Sequence, residues 1–115
     1  MSSPFRPLLA TLTRHRGVVG SMVVGEADGV IVDATLHIGV AGDAVAALAA
    51  SLYRKARRSS LAAGFGDVGF LTLEAELGRL CVAGRGELVL IAVADRSANV
   101  GLLRADMLAG AGGLA

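Results

Sequence analysis

Six residues, Gly64-Phe65-Gly66-Asp67-Val68-Gly69, match the G-x-G-x-x-G spacing that cradles the pyrophosphate of a dinucleotide. That chemistry needs the free N–H groups of a helix N-terminus directly after a strand, so the flanking elements decide it. A second glycine pair, Gly20 and Gly25, begins like a phosphate loop. The Lys-Ser/Thr pair that must follow is replaced by Glu26-Ala27, and the match fails at the residues that hold phosphate and magnesium. Acid–base and metal chemistry have little to draw on: two histidines, His15 and His37, and one cysteine, Cys81. These are too few for a zinc site. Each histidine reads as a surface or capping residue rather than a base. Cys81, between Leu80 and Val82, reads as a buried, inert thiol. The carboxylates Asp28, Asp67, Glu74, Glu76, Glu87 and Asp95 fall mostly at turns, where solvent takes them up. Glu74 and Glu76 share one side of a strand, but they flank a turn. Catalysis needs convergent groups, and none converge here. The expectation is a chain with no catalytic, cofactor-binding or metal-binding residues, and not an enzyme acting alone.

Composition narrows the class further. Of the 115 residues, 54% are hydrophobic and 18% charged, which excludes disorder and fits one domain over 1–115. Three Phe, one Tyr and no Trp leave Ala, Val and Leu to build the core. The shortage of aromatic rings and a net charge of +1 argue against nucleic acid, which is bound by stacking and by a basic field. A lone thiol suits a reducing compartment, so the expected location is cytoplasmic. Arg6 breaks the first apolar run, so no signal peptide is expected, and no window of 18 residues is apolar enough to insert in a membrane.

The elements follow from periodicity and punctuation. Leu8, Leu9 and Leu12 predict a helix over 5–15 that starts after Ser3-Pro4 and stops at Gly17. Two β-branched runs, Val18–Val24 and Val30–Leu36, flank Asp28-Gly29, a hairpin turn of the kind that needs positive φ. A long helix runs from Ala44 to about Ala63, with Asp43 as its expected N-cap and Gly64 as its terminator. One of its faces carries Val45, Leu48, Leu52, Ala56 and Ser59. A second carries Ala44, Ala47, Ser51, Arg54 and Arg58. Arg54, Lys55, Arg57 and Arg58 lie in its second half, where cations complement the helix dipole. Three strands follow, at Asp67–Glu74, around Cys81, and at Leu88–Ala94. A last helix is capped by Ser97 and carries Val100, Leu103 and Met107 on one face. The Gly/Ala-rich end after about residue 109 is expected to fray, leaving a core at about 5–109. In this order, α-β-β-α-β-β-β-α, the stretch Gly64–Gly69 ends a helix and enters a strand. That is the reverse of a dinucleotide site, and the fingerprint reading fails.

The order and several local patterns resemble the roadblock/dynein light chain domain family, particularly its bacterial polarity-protein branch. The resemblance is carried by "GVVGSMVVGEADGVIVDAT" at 17–35, "LEAELGRLCVAGRGELVLIAVAD" at 73–95 and "ANVGLLRADM" at 98–107. It spans about Leu8 to Met107. It implies an α+β fold with a five-stranded antiparallel sheet in the order 2-1-5-4-3 between helices on both faces, one helix on one side and two on the other. The third strand is then an edge, with no Pro or Lys to blunt it. In the family that edge pairs with its own copy across a two-fold axis while the second helices pack together. The implied homodimer interface is Ala44, Ala47 and Ser51 with Val68, Phe70 and Thr72. Family members regulate or scaffold small Ras-like GTPases, some by reshaping the partner's switch loops to speed hydrolysis. The implied partner is therefore such a GTPase, with Arg54, Lys55, Arg57 and Arg58 as candidate contacts. A passive scaffold of the same fold and a small-ligand sensor stand as alternatives.

Overall fold

The computed structural model describes residues 3–114. Its elements are α1 (Arg6–Thr13), β1 (Val18–Gly25), β2 (Ile31–Leu36), α2 (Gly42–Ala62), β3 (Phe70–Ala75), β4 (Gly78–Arg85), β5 (Leu88–Ala94) and α3 (Val100–Gly112). The strands form one antiparallel sheet in the order β2-β1-β5-β4-β3, as the resemblance implied. β5 sits at the centre, flanked by β1 and β4. In β1 and β5 the runs of Val, Ile, Leu and Ala are buried on both faces, as expected for strands covered from both sides.

Each face has its own core. On one side, Leu9 and Leu12 of α1 and Leu103, Met107 and Ala111 of α3 pack on Val23, Cys81, Leu90 and Ala92. On the other, Ala46, Ala49, Ala50 and Tyr53 of α2 cover Met22, Val24, Val82, Val89 and Ile91. Side-chain alternation along the strands sorts these residues cleanly between the two faces. Among the described residues Ser21 is the buried polar exception, and its hydroxyl donates to the Leu9 carbonyl at 3.1 Å.

Several local expectations are corrected. α1 ends at Thr13, before the expected stop at Gly17. α2 begins at Gly42 with Ala41 at the N-cap, and Asp43 makes no capping bond; it lies in the first turn, where its charge favours the helix dipole. The basic residues of α2 stop short of its last turn. β3 begins at Phe70 rather than Asp67, because the preceding residues are bonded to α2 instead of to β4. The cap of α3 is Asn99, whose Oδ1 accepts the Leu102 N–H at 3.1 Å, while the Ser97 hydroxyl and amide donate to Asp95. Those Ser97 bonds hold the Asp95 carboxyl below its ordinary range. Asn99→Ala is expected to cost about 1 kcal/mol in a urea melt, and Ser97→Ala clearly less. The Ala109–Gly112 stretch, expected to fray, is the last turn of α3, with Ala111 buried.

Candidate functional site

The Gly64–Gly69 stretch joins α2 to β3. Gly64 has φ +85° just past the helix end, where the Gly64 N–H bonds the Leu61 carbonyl and the Phe65 N–H bonds the Ser60 carbonyl. This paired arrangement is a glycine-terminated helix C-terminus, with no phosphate-facing helix start. Three side chains on one stripe of α2 then hold the incoming chain residue by residue. The Ser60 hydroxyl donates to the Gly66 carbonyl at 2.7 Å, Arg57 Nε donates to Asp67 Oδ1 at 2.8 Å, and the Tyr53 hydroxyl donates to the Val68 carbonyl. Burial, with the Asp67 charge second, pushes the Tyr53 phenol up, so the hydroxyl stays a donor. Tyr53 fits beneath α2 because its neighbour on the sheet is Gly84; a Cβ there would lie 2.1 Å from the ring. The α2 helix thus dictates where β3 starts.

β3 pairs with β4 alone, and no other described backbone group bonds its outer side. It is an open edge. The opposite edge, β2, is blunted. A register shift between Val23 and Val24 bends it, and Asp33 turns inward at 9% side-chain exposure, its Oδ1 taking up the Ala34 N–H at 2.8 Å. Inward charge and irregular pairing are the usual protections of a sheet edge. β3 has neither.

The flank of α2 beside this edge is the apolar one. Val45 and Leu48 line a groove of about 170 Å³ with Leu73, Ala75 and Leu80, and Leu48 is 49% exposed. Leu52, four residues on, continues the same stripe. The small-residue face lies elsewhere. Ala47 approaches Gly29 of the β1–β2 turn, on the far flank of the helix, and Ala44 is exposed. Ser51 lies half-buried one turn beyond Ala47. Val68 precedes the strand, and Phe70 and Thr72 lie on it, with Phe70 packed toward the α3 side under Arg104 at 5.6 Å.

The four basic candidates divide in two. Arg54 donates to the Glu26 carbonyl, and Arg57 bridges Glu26 of the β1–β2 turn (3.0 Å) and Asp67 (2.8 Å). The Asp67 and Glu26 carboxylates hold the Arg57 guanidinium firmly charged. Both arginines are struts of the domain. Lys55 and Arg58 are exposed and make no ion pair among the described residues.

The remaining chemistry-bearing residues do not converge. His15 Nε2 lies 2.7 Å from Asp106 Oδ2, tying the turn after α1 to α3 in a contact that the spacing did not signal. Cys81 is buried, and desolvation pushes its thiol up, so the thiolate is disfavoured. Glu74 pairs across strands with Arg79 at 3.7 Å, rather than with Glu76. Among the described residues no three His, Cys, Asp or Glu side chains group as metal ligands, and no helix is long and apolar enough to cross a membrane. An open cleft of about 500 Å³ lies beside Glu26, Asp28, Arg54 and Glu87.

The family model described as Roadblock/LC7 domain matches residues 6–95. The chain belongs to that family. An uncharacterized protein of Methanocaldococcus jannaschii is 32% identical over 100 residues, covering 87% of each chain. A Roadblock/LC7 domain from Streptomyces avermitilis superposes with a TM-score of 0.84 at 23% identity, covering 96% of this chain and 93% of that one. The gliding protein MglB from Thermus thermophilus superposes at 0.80 with 17% identity, covering 96% and 87%. These likenesses show a shared roadblock fold, of which the MglB structure is one example.

Proposed function

We propose that two copies of this roadblock domain join through β3 into a continuous sheet, and that the dimer is a cytoplasmic, non-enzymatic regulator of a small Ras-like GTPase. The observation that carries the reading is the pairing of an unblunted edge with a half-exposed apolar stripe, Val45–Leu48–Leu52, on the helix beside it. The unpaired N–H and C=O groups of β3 find partners in a twin strand. The stripe buries Leu48 and Leu52 against the same stripe of the second copy, an isologous contact. In this arrangement Phe70 and Thr72 of the strand lie within the dimer, whereas Ala47 stays outside it.

The two adjacent α2 helices then present Lys55 and Arg58 outward. A regulator speeds a P-loop GTPase by adding positive charge near the transferring phosphoryl group or by ordering the residue that positions water. With Arg54 and Arg57 tied into the domain, ordering of the partner's own switch loops is the route that this surface supports. The test is GTP turnover and nucleotide-dependent capture of Ras-like GTPases by the purified protein. Lys55→Glu with Arg58→Glu is expected to weaken capture about tenfold or more while leaving the melting temperature nearly unchanged, since both side chains are solvated in the domain alone. Unchanged capture would return these cations to solvent. Capture that is blind to nucleotide, with unaltered turnover, would make the protein a passive scaffold.

A further inference from the structure

We infer that Arg6, Asp33 and the Ala34 amide form a latch through which α1 shuts the free rim of β2. Asp33 is paired with Val23 in the sheet, and Val23 lies in the core beneath α1 and α3, so the Asp33 side chain points under α1. Its two oxygens fare differently. Oδ1 accepts the Ala34 N–H at 2.8 Å, whereas Oδ2 is buried and has no hydrogen-bond partner among the described residues. A buried carboxylate oxygen left without a donor carries a large desolvation cost.

The cation beside it is Arg6, in the first turn of α1. Its Nη2 stands 3.6 Å from Asp33 Oδ1, which makes an ion pair but is too long for a hydrogen bond. The Arg6 side chain is 56% exposed and has room to turn. An approach of less than about 1 Å converts this loose pair into a fork, with one guanidinium N–H on each carboxylate oxygen. Oδ1 has a second lone pair for this, and Oδ2 has both. The start of α1 is free to follow. Phe5 at its N-cap makes no side-chain capping bond, and the residues that bury the helix, Leu9 and Leu12, lie farther along it.

The fork holds the rim in turn. The His37 N–H donates to the Val19 carbonyl, on the β1 side of β2. Amide direction alternates along a strand, so the Thr35 N–H also faces β1 and the Ala34 N–H faces away from it. Asp33 therefore occupies a donor that an added strand would use, and Arg6 fixes the carboxylate that does so. Closed, the latch ties the rim of β2 to α1. Opened, it returns the Ala34 N–H to the free edge.

The test is a double-mutant cycle in urea on the full chain, with Arg6→Gln and Asp33→Asn, joined by hydrogen exchange of single amides. Each single variant should lower the folding constant on the order of tenfold, and the double variant little more than either one. Arg6→Lys keeps the charge but cannot fork, and should lose stability much as Arg6→Gln does. In Arg6→Gln the Ala34 amide should exchange on the order of tenfold faster, with the Thr35 amide changed clearly less. If Oδ2 stays without a partner in solution, Asp33→Asn relieves a buried unpaired charge and matches or exceeds the parent in stability. That result would overturn the latch. So would additive losses in the cycle, an Arg6→Lys protein as stable as the parent, or an Ala34 amide that exchanges at the parent's rate.

Discussion

Leu48→Asp should turn the proposed dimer into a folded monomer. In the isolated domain Leu48 is half exposed on the α2 flank that borders β3, so the substitution removes little buried apolar surface and costs about 1 kcal/mol. Across the proposed two-fold axis the same position is covered by the twin helix. An unpaired carboxylate buried there costs about 3–5 kcal/mol, and symmetry counts it twice. The dissociation constant should rise by at least about ten-thousand-fold. Light scattering at micromolar concentration reads the loss, and circular dichroism confirms that the monomer keeps its helices and sheet. The matching substitution on the other flank, Ala47→Asp, should leave the dimer intact, since Ala47 faces the β1–β2 turn. If both variants stay dimeric, the subunits meet through some other surface.

Gly84→Ala should be the most damaging small substitution on the α2 side of the sheet. Its methyl group would sit 2.1 Å from Cζ and Oη of Tyr53, which is 3% exposed. The ring must leave its place, which strands the Val68 carbonyl and loosens the entry to β3. Overpacking of this kind costs about 1–3 kcal/mol and the lost hydrogen bond about 1 more. Together these lower the melting temperature by roughly 10–20 °C. Tyr53→Phe separates the two effects: the ring stays, only the hydroxyl goes, and the expected loss is about 1 kcal/mol. A Gly84→Ala protein that melts within 2–3 °C of the parent (roughly half a kcal/mol) would refute the contact.

The two predictions converge on α2, which is where sequence reading fell short. Its hydrophobic stripe was legible: Val45, Leu48 and Leu52 recur at helical spacing. Such a stripe ordinarily marks the core. Here the residues packed on the sheet are instead Ala46, Ala49, Ala50 and Tyr53, a face of small side chains with one ring. Small residues let the helix lie close to the strands, and Gly84 makes room for the ring. The larger apolar residues are left on the flank. Hydropathy reports which side chains avoid water, and it is silent on whether the same chain or another one shields them.

The arginines show a similar limit. Arg54, Arg57 and Arg58 look alike in a row, and only the approach of the β1–β2 turn and of Asp67 separates two struts from Arg58, which makes no ion pair among the described residues. The cap of α3 was misplaced by two residues, because Ser97 and Asn99 are both good caps and Asp95 takes up the first.

The chain alone determined the class and the plan: the alternation of strand and helix, the failed phosphate motifs, the scarcity of histidine and cysteine, and through family resemblance the order of the strands. Those features are local or compositional, written in spacing, turn residues and counts. The tertiary structure decided which flank of α2 borders the open edge, which cations are spoken for, and why β2 is a blunted edge while β3 is an open one. Each of these depends on residues far apart in the chain, such as Glu26 with Arg57 or Tyr53 with Gly84, meeting in a geometry that only the packed sheet and helices impose.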